Sequence, residues 1–233
     1  MAAGAQAESE PLVIAYPFMG RWMARRSPAR RVPSHGTHLM GTTYAIDFIP
    51  VDARGRSAPR SWRAAVATEA PENFVGFGAA ILAPCSGRVV IAHDDEPDHE
   101  ARRSQLTLLP YLLSQASRVR GGPPAIAGNH VVIASGAGGP FILLAHLRRG
   151  SLEVGVGDDV QAGATVGACG NSGNSTQPHV HVQATDSTNW SEARGLPIAF
   201  KATGLPALPR EGEIVTVDQP GSLVADWPQK QPD

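Results

Sequence analysis

The sequence is poor in several residue types that mark particular classes of protein. Only Cys85 and Cys169 supply thiols in 233 residues, which excludes a disulfide framework and leaves at most one bridge. That bridge would need Cα atoms within about 7 Å of each other. Lysine is equally scarce, since Lys201 and Lys230 are the only two. Neither lies at a glycine-rich hairpin, so a lipoyl- or biotin-carrying domain is excluded.

A net positive charge and long apolar runs are missing as well. The formal net charge is -1, so the chain lacks the positive field that attracts nucleic acid or an anionic membrane. The apolar run "PLVIAYPFM" near the N-terminus is interrupted by proline and is far shorter than the roughly 20 residues of a membrane span. No basic segment precedes it. For the chain as given we expect no nucleic-acid partner, no membrane span and a cytoplasmic location.

Glycine, proline and short β-branched runs are abundant instead. There are 25 Gly and 20 Pro, and 42% of the residues are hydrophobic, as in a folded protein with a core. These features predict a mainly β fold, a compact antiparallel sheet or sandwich. The predicted strands are "TTYAIDFIPV", "AAILAP", "GRVVIAH", "NHVVIAS", "FILLAHL", "SLEV", "DDVQAGATVGACG" and "HVHVQAT".

The distribution of these runs predicts one domain with additions. We expect the domain over residues 33–202, an N-terminal extension over 1–32 and a C-terminal extension over 203–233, in which "GEIVTV" can add an edge strand. Residues 52–77 and 94–128 interrupt the strands and are interpreted as two loop insertions. The second contains "SQLTLLPYLLSQASRV", a candidate helix that proline would break into two pieces.

Histidines give the first indication of function. In "QPHVHVQ", His179 and His181 stand two apart, so in a strand both imidazoles lie on one face with Cα atoms roughly 6.5 Å apart. Such a pair can share a metal or divide the work around it. H-x-H alone is weak evidence, because two histidines meet at this spacing by chance, and its context has to decide.

Two further clusters supply that context. In "HGTHLMGTTYAIDF", His35 and His38 precede a strand in which Asp47 faces away from its large apolar neighbours. In "FILLAHL", His146 ends a strongly apolar strand. Histidines and one carboxylate at strand positions form a ligand set suited to catalytic zinc, which takes three protein ligands and leaves one position for water.

These residues, in this order, resemble the M23 peptidases, the lysostaphin-like zinc endopeptidases of bacterial cell walls. The resemblance covers roughly residues 33–200 and is strongest where "LLAHL" is followed by "VGVGDDVQAGATVGACGNSGNSTQPHVHVQ". It implies one Zn²⁺ per chain and a peptide substrate in peptidoglycan cross-links. Such a substrate would require export, since the cell wall lies outside the cytoplasm.

The resemblance also implies roles for individual residues. Carried over by position, the zinc ligands are His38, Asp47 and His181, and the catalytic groups are His146 and His179. Eight residues separate His38 from Asp47, more than is commonest in the family, so His35 stays open as a substitute ligand.

Other functions account for only part of this residue pattern. The main alternative is a catalytically silent, peptidase-like binding or regulatory module, which would lack metal ligands. A phosphohistidine carrier would use two facing histidines and leave Asp47 unexplained. The other histidines (His93, His99 and His130) are interpreted as solvated or structural and not as ligands, and Cys169 as a packed thiol.

Overall fold

The computed structural model describes residues 10–60, 67–102, 123–202 and 205–220, in which most of the regular elements are β-strands. Eight strands follow one another across the main sheet in the order β13-β2-β3-β10-β7-β6-β5-β8, and β11 pairs with β10 as the ninth. All pairings in this sheet are antiparallel. Its strands are β2 (Gly20–Arg25), β3 (Ile46–Pro50), β5 (Gly87–His93), β6 (Asn129–Ala134), β7 (Phe141–Leu147), β8 (Asp159–Val160), β10 (Val180–Thr185), β11 (Gly195–Leu196) and β13 (Ile214–Val217).

Four short strands form two smaller sheets. β4 (Ala80–Leu82) pairs antiparallel with β9 (Thr165–Ala168), whereas β1 (Leu12–Ile14) pairs parallel with β12 (Ile198–Phe200). The described helical segments are 3₁₀ turns at Leu39–Tyr44 and Pro71–Asn73 and one short α-helix at Pro123–Ala127.

The expectation of a mainly β, antiparallel fold is confirmed, with the pairing of β1 and β12 as the parallel exception. The expected strand "SLEV" is wrong. Residues 151–154 lie outside the strands, because they run beside β9 with a single backbone bond, from Glu153 N to Val166 O, instead of a ladder. The candidate helix in "SQLTLLPYLLSQASRV" lies outside the described residues.

Side-chain alternation places the core on one face of the main sheet. Ile46 and Phe48 of β3 and Val182 of β10 are fully buried and belong to one hydrophobic cluster, which also contains Ile81 of β4 and Ile198 of β12. The three sheets therefore share a core. The intervening residues of β3 and β10 point to the opposite face, and that face carries the polar side chains discussed below.

Both predicted extensions contribute strands to the main sheet. β2, from the N-terminal segment, pairs with β3, and β13, from the C-terminal segment, pairs with β2 at the sheet edge. The domain limits stay a prediction, but these two strands build on the sheet that carries the site. Within the described ranges, no helix has the length and apolar character needed to cross a membrane.

Candidate metal centre

Asp47 and His181 meet across two neighbouring strands. They are cross-strand partners in the register of β3 with β10, so their side chains leave the sheet side by side. His181 Nδ1 lies 2.9 Å from Asp47 Oδ1. Both residues are 7% exposed, although each carries a polar or charged group. A buried carboxylate needs partners, and the histidines around it supply them.

His35 completes a group of three ligand atoms. Its Nε2 lies 3.2 Å from Asp47 Oδ1, while its Nδ1 lies 3.0 Å from Ser34 Oγ. One ligand atom from each of His35, Asp47 and His181 lies within 4.8 Å of the other two. Among the described residues this is the group of histidine, cysteine and acidic side chains that can hold a metal ion.

His38 does not join this group. Its side chain is exposed, and its Nδ1 lies 3.1 Å from Thr43 Oγ1. The path of the chain explains the difference, because Ser34 N donates to Thr43 O at 3.0 Å and so holds residue 35 beside the start of β3. The structure therefore brings His35, and not His38, next to Asp47 and His181.

His146 and His179 lie beside the group of three. Their ring centroids are 4.7 Å apart, and His179 Nε2 is 3.8 Å from Asp47 Oδ1. Each Nδ1 lies within hydrogen-bond distance of a backbone carbonyl, His146 at 3.0 Å from Ser172 O and His179 at 2.8 Å from Gln177 O. A carbonyl can only accept, so each Nδ1 donates its hydrogen and each neutral ring keeps a lone pair on Nε2.

Burial and mutual repulsion disfavour the protonated form of these histidines. Burial, helped by the charges of His179 and His181, lowers the pKa of His146 well below its ordinary value. Burial also lowers the pKa of His179 and of His35, although Asp47 opposes both shifts. The imidazoles thus have lone pairs available at neutral pH, for a metal or for a proton.

Asp47 keeps its negative charge in spite of its position. Burial alone would raise its pKa, but the nearby histidines outweigh that effect and hold the pKa well below the usual range of an aspartate. Arg26 adds a positive charge on the outer side, with its Nε 3.7 Å from Asp47 Oδ2. The charged form of the carboxylate is the one that binds a divalent cation.

Sequence reasoning missed Arg26 and the side chains that orient the rings. Arg26 follows β2, whose last residue pairs with Asp47 in the sheet, and it has a left-handed backbone with φ of 49°. No sequence motif indicates that Arg26 lies beside Asp47. Ser34 and Gln183 contact the neighbouring His35 and His181. Each is itself held by a backbone carbonyl elsewhere in the chain, Ser34 by that of Thr42 and Gln183 by that of Met40.

The first residues of the second insertion are hydrogen-bonded to the loop that orients His146. Asp98 Oδ1 accepts from Asn171 N at 2.7 Å, and His99 Nε2 lies 2.9 Å from Gly173 O. These contacts flank Ser172, whose carbonyl holds His146. The insertion therefore steadies one wall of the site, and His99 has a structural position, as predicted.

The remaining histidines and the cysteines lie outside the centre. His130 is buried with Nδ1 2.7 Å from Gly128 O, and His93 packs against it. Cys85 and Cys169 are both free, and burial raises the pKa of the Cys169 thiol far above its usual value. Cys169 is a packed thiol, as the sequence indicated.

A family model described as Peptidase family M23 matches residues 114–192. The resemblance to the M23 peptidases is thereby confirmed. The matched segment contains His146, His179 and His181, whereas His35 and Asp47 precede it. A search among curated proteins finds no match.

Several solved structures are similar to this chain. The catalytic domain of the antimicrobial peptidase lysostaphin from Staphylococcus simulans aligns at 18% identity over 78% of this chain and 86% of that one, with a TM-score of 0.38. A mutant catalytic domain of the prophage-encoded M23 protein EnpA from Enterococcus faecalis aligns at 17% identity over 83% and 93%, with a TM-score of 0.39. A zinc containing peptidase from Vibrio cholerae aligns at 17% identity over 77% and 36%, with a TM-score of 0.34.

Proposed function

We propose that the chain is a zinc-dependent endopeptidase that holds one Zn²⁺ between His35, Asp47 and His181. The observation that carries the proposal is the buried group of two histidines and one carboxylate, with ligand atoms within 4.8 Å of one another. Three protein ligands of these types, with a position left for water, are typical of catalytic zinc. A structural zinc site would use four protein ligands.

The surroundings of the ligands fit a metal as well. Zinc-binding histidines usually place their second ring nitrogen against an oxygen, which fixes the ring. Here His35 Nδ1 lies 3.0 Å from Ser34 Oγ, and His181 Nε2 lies 2.9 Å from Gln183 Oε1. The nitrogen that faces Asp47 is therefore the one left for the ion in both rings.

His146 and His179 are the proposed proton-transfer groups. A zinc ion at the site would supply Lewis acidity, polarising the scissile carbonyl and lowering the pKa of water. Both histidines are anchored through Nδ1, so Nε2 of one can take the proton of the attacking water as its oxygen bonds to the carbonyl carbon. The ring that has taken the proton then has an Nε2–H that can donate to the developing oxyanion. The proton passes to the amine nitrogen when the C–N bond breaks.

We further propose a peptide cross-link of peptidoglycan as substrate, following the M23 resemblance. A groove with a volume of about 410 Å³ supports an extended substrate. Its floor includes Ile49 and Val51, which share a strand face with Asp47, and Gln177 on its wall is two residues from His179. An extended peptide could pass from this groove to the site.

The binding-module alternative is less well supported. A module that had lost its metal would not need a buried carboxylate ringed by histidines, because burying such a charge is costly without a function or a partner. The two candidate functions differ in two measurable properties of the purified chain, zinc binding and peptide cleavage.

The test combines metal analysis with digestion of purified peptidoglycan. Protein purified without chelators or a histidine tag should contain about one zinc per chain, and mass spectrometry should detect new peptide termini in the digest. His179→Ala should keep the zinc while losing roughly 100- to 10,000-fold in rate, as expected for a general acid or base. His181→Ala should lose both. A His181→Ala protein that retains zinc would overturn the ligand assignment, and wild-type protein without zinc would favour the binding module.

A further inference from the structure

Gln183 is a buried polar residue on β10 that none of the proposed chemical steps uses. It is 2% exposed and stands two residues after His181, so both side chains leave the same face of the strand. Its amide makes two hydrogen bonds at opposite ends. Oε1 lies 2.9 Å from His181 Nε2, and Nε2 donates to Met40 O at 2.9 Å.

The carbonyl of Met40 decides which way this amide points. A backbone carbonyl can only accept, so it must face the NH₂ end of Gln183 and not the oxygen. The oxygen of Gln183 then faces His181 Nε2. Because that oxygen is an acceptor too, His181 must carry a hydrogen on Nε2. Nδ1, which lies 2.9 Å from Asp47 Oδ1 in the metal-free chain, is then the nitrogen left for a metal ion.

The turn that presents the Met40 carbonyl is unusual and tightly packed. Met40 and Gly41 both have left-handed backbones, with φ of 56° and 73°. A side chain at Gly41 would collide with the methyl group of Thr185 on β10. The glycine therefore lets the turn approach the strand closely enough for the carbonyl to reach Gln183.

We infer that Gln183 is a positioning residue, held by the Met40 carbonyl, that keeps the His181 proton on Nε2 and so presents Nδ1 to the metal. The role in metal binding rests on the proposed function. The hydrogen on His181 Nε2, in contrast, can be observed in the metal-free protein. Loss of an outer partner of a metal-binding histidine typically weakens metal affinity roughly 10- to 100-fold.

The first measurement uses the unmodified chain. Protein labelled with ¹⁵N in histidine, free of metal, should show a hydrogen on His181 Nε2 in long-range ¹H–¹⁵N spectra, assigned by comparison with His181→Ala. After loading with zinc, the same hydrogen should remain and Nδ1 should show the shift of a metal-bound nitrogen. An unprotonated Nε2 in the metal-free protein, or coordination through Nε2, would overturn the inference.

Variants then separate positioning from packing. Gln183→Met has a similar length without an acceptor and should weaken zinc binding roughly 10- to 100-fold in competition with a chelator. Gln183→Glu keeps an acceptor for His181 but sets a second acceptor against Met40 O, so it should bind zinc more tightly than Gln183→Met and more weakly than the unmodified chain. Gln161→Met is the matched control, because Gln161 is exposed, follows β8 at the edge of the main sheet, and accepts a hydrogen bond from Ser86 Oγ at 3.2 Å.

The outcomes distinguish failure of the inference from failure of the proposed function. Wild-type affinity in Gln183→Met, or equal weakening in Gln183→Glu, contradicts positioning through the hydrogen bond. If the unmodified chain takes up no zinc, the proposed function fails, while the spectrum of metal-free His181 still decides where the proton resides.

Discussion

Replacing His35 by alanine should abolish tight zinc binding, whereas replacing His38 should leave it almost unchanged. His35 Nε2 is 3.2 Å from Asp47 Oδ1 and belongs to the group of three ligand atoms. His38 is exposed and contacts Thr43 through Nδ1 at 3.1 Å. The pair is a matched comparison, since both changes remove one imidazole from the same short segment.

The size of the difference follows from the ligand count. Zinc in four-ligand sites binds with about 10–16 kcal/mol, so one ligand accounts for roughly 3–4 kcal/mol. At about 1.4 kcal/mol for each factor of ten, His35→Ala should weaken zinc binding by two to three orders of magnitude. A surface change such as His38→Ala typically alters free energies by less than about 0.5 kcal/mol, or roughly twofold in affinity.

The assay is competition for zinc with a chromophoric chelator at neutral pH, on metal-free protein. Circular dichroism and thermal unfolding of both variants check that the fold is kept. If His38→Ala loses zinc and His35→Ala keeps it, the reasoning from the structure is refuted and the ligand implied by the sequence resemblance is restored.

Three other predictions concern parts of the molecule outside the ligands. Phe48→Ala should lower the free energy of unfolding by about 3–5 kcal/mol in urea denaturation, because Phe48 is fully buried against Tyr16 and other rings. Leu39→Ala removes a side chain that is 73% exposed and should lower it by less than about 0.5 kcal/mol. Equal effects of the two changes would contradict the assigned core. Asp98→Ala should speed amide hydrogen exchange at Asn171, whose N–H it accepts, and unchanged exchange would show that this contact does not steady the loop. Burial raises the pKa of Cys85 to about 11, so its reactive thiolate is scarce at pH 8. The rate of Cys85 alkylation should therefore keep rising with pH up to about pH 11. A rate that levels off near pH 9, as in unfolded protein, would disprove this.

Much of the fold and part of the site could be predicted from local sequence pattern. Alternation in "YAIDF" and "HVHVQ" placed Asp47 and His181 opposite the apolar residues, and the structure has Phe48 and Val182 in the core on the other face. The period of a strand is two whatever surrounds it, so this information is contained in a few neighbouring residues. The order of the histidine motifs carried the family resemblance in the same way.

Tertiary structure alone decided which loop histidine reaches the carboxylate. His35 and His38 are both plausible ligands by composition. The choice depends on Ser34 N bonding to Thr43 O, a contact between residues nine apart in a turn with three left-handed positions. Arg26 and Gln183 became visible for the same reason, since each acts through a segment distant in the chain. A strand repeats its geometry at every second residue, so sequence determines which face a side chain takes. A loop has no such repeat, and only its non-local hydrogen bonds determine where its side chains lie.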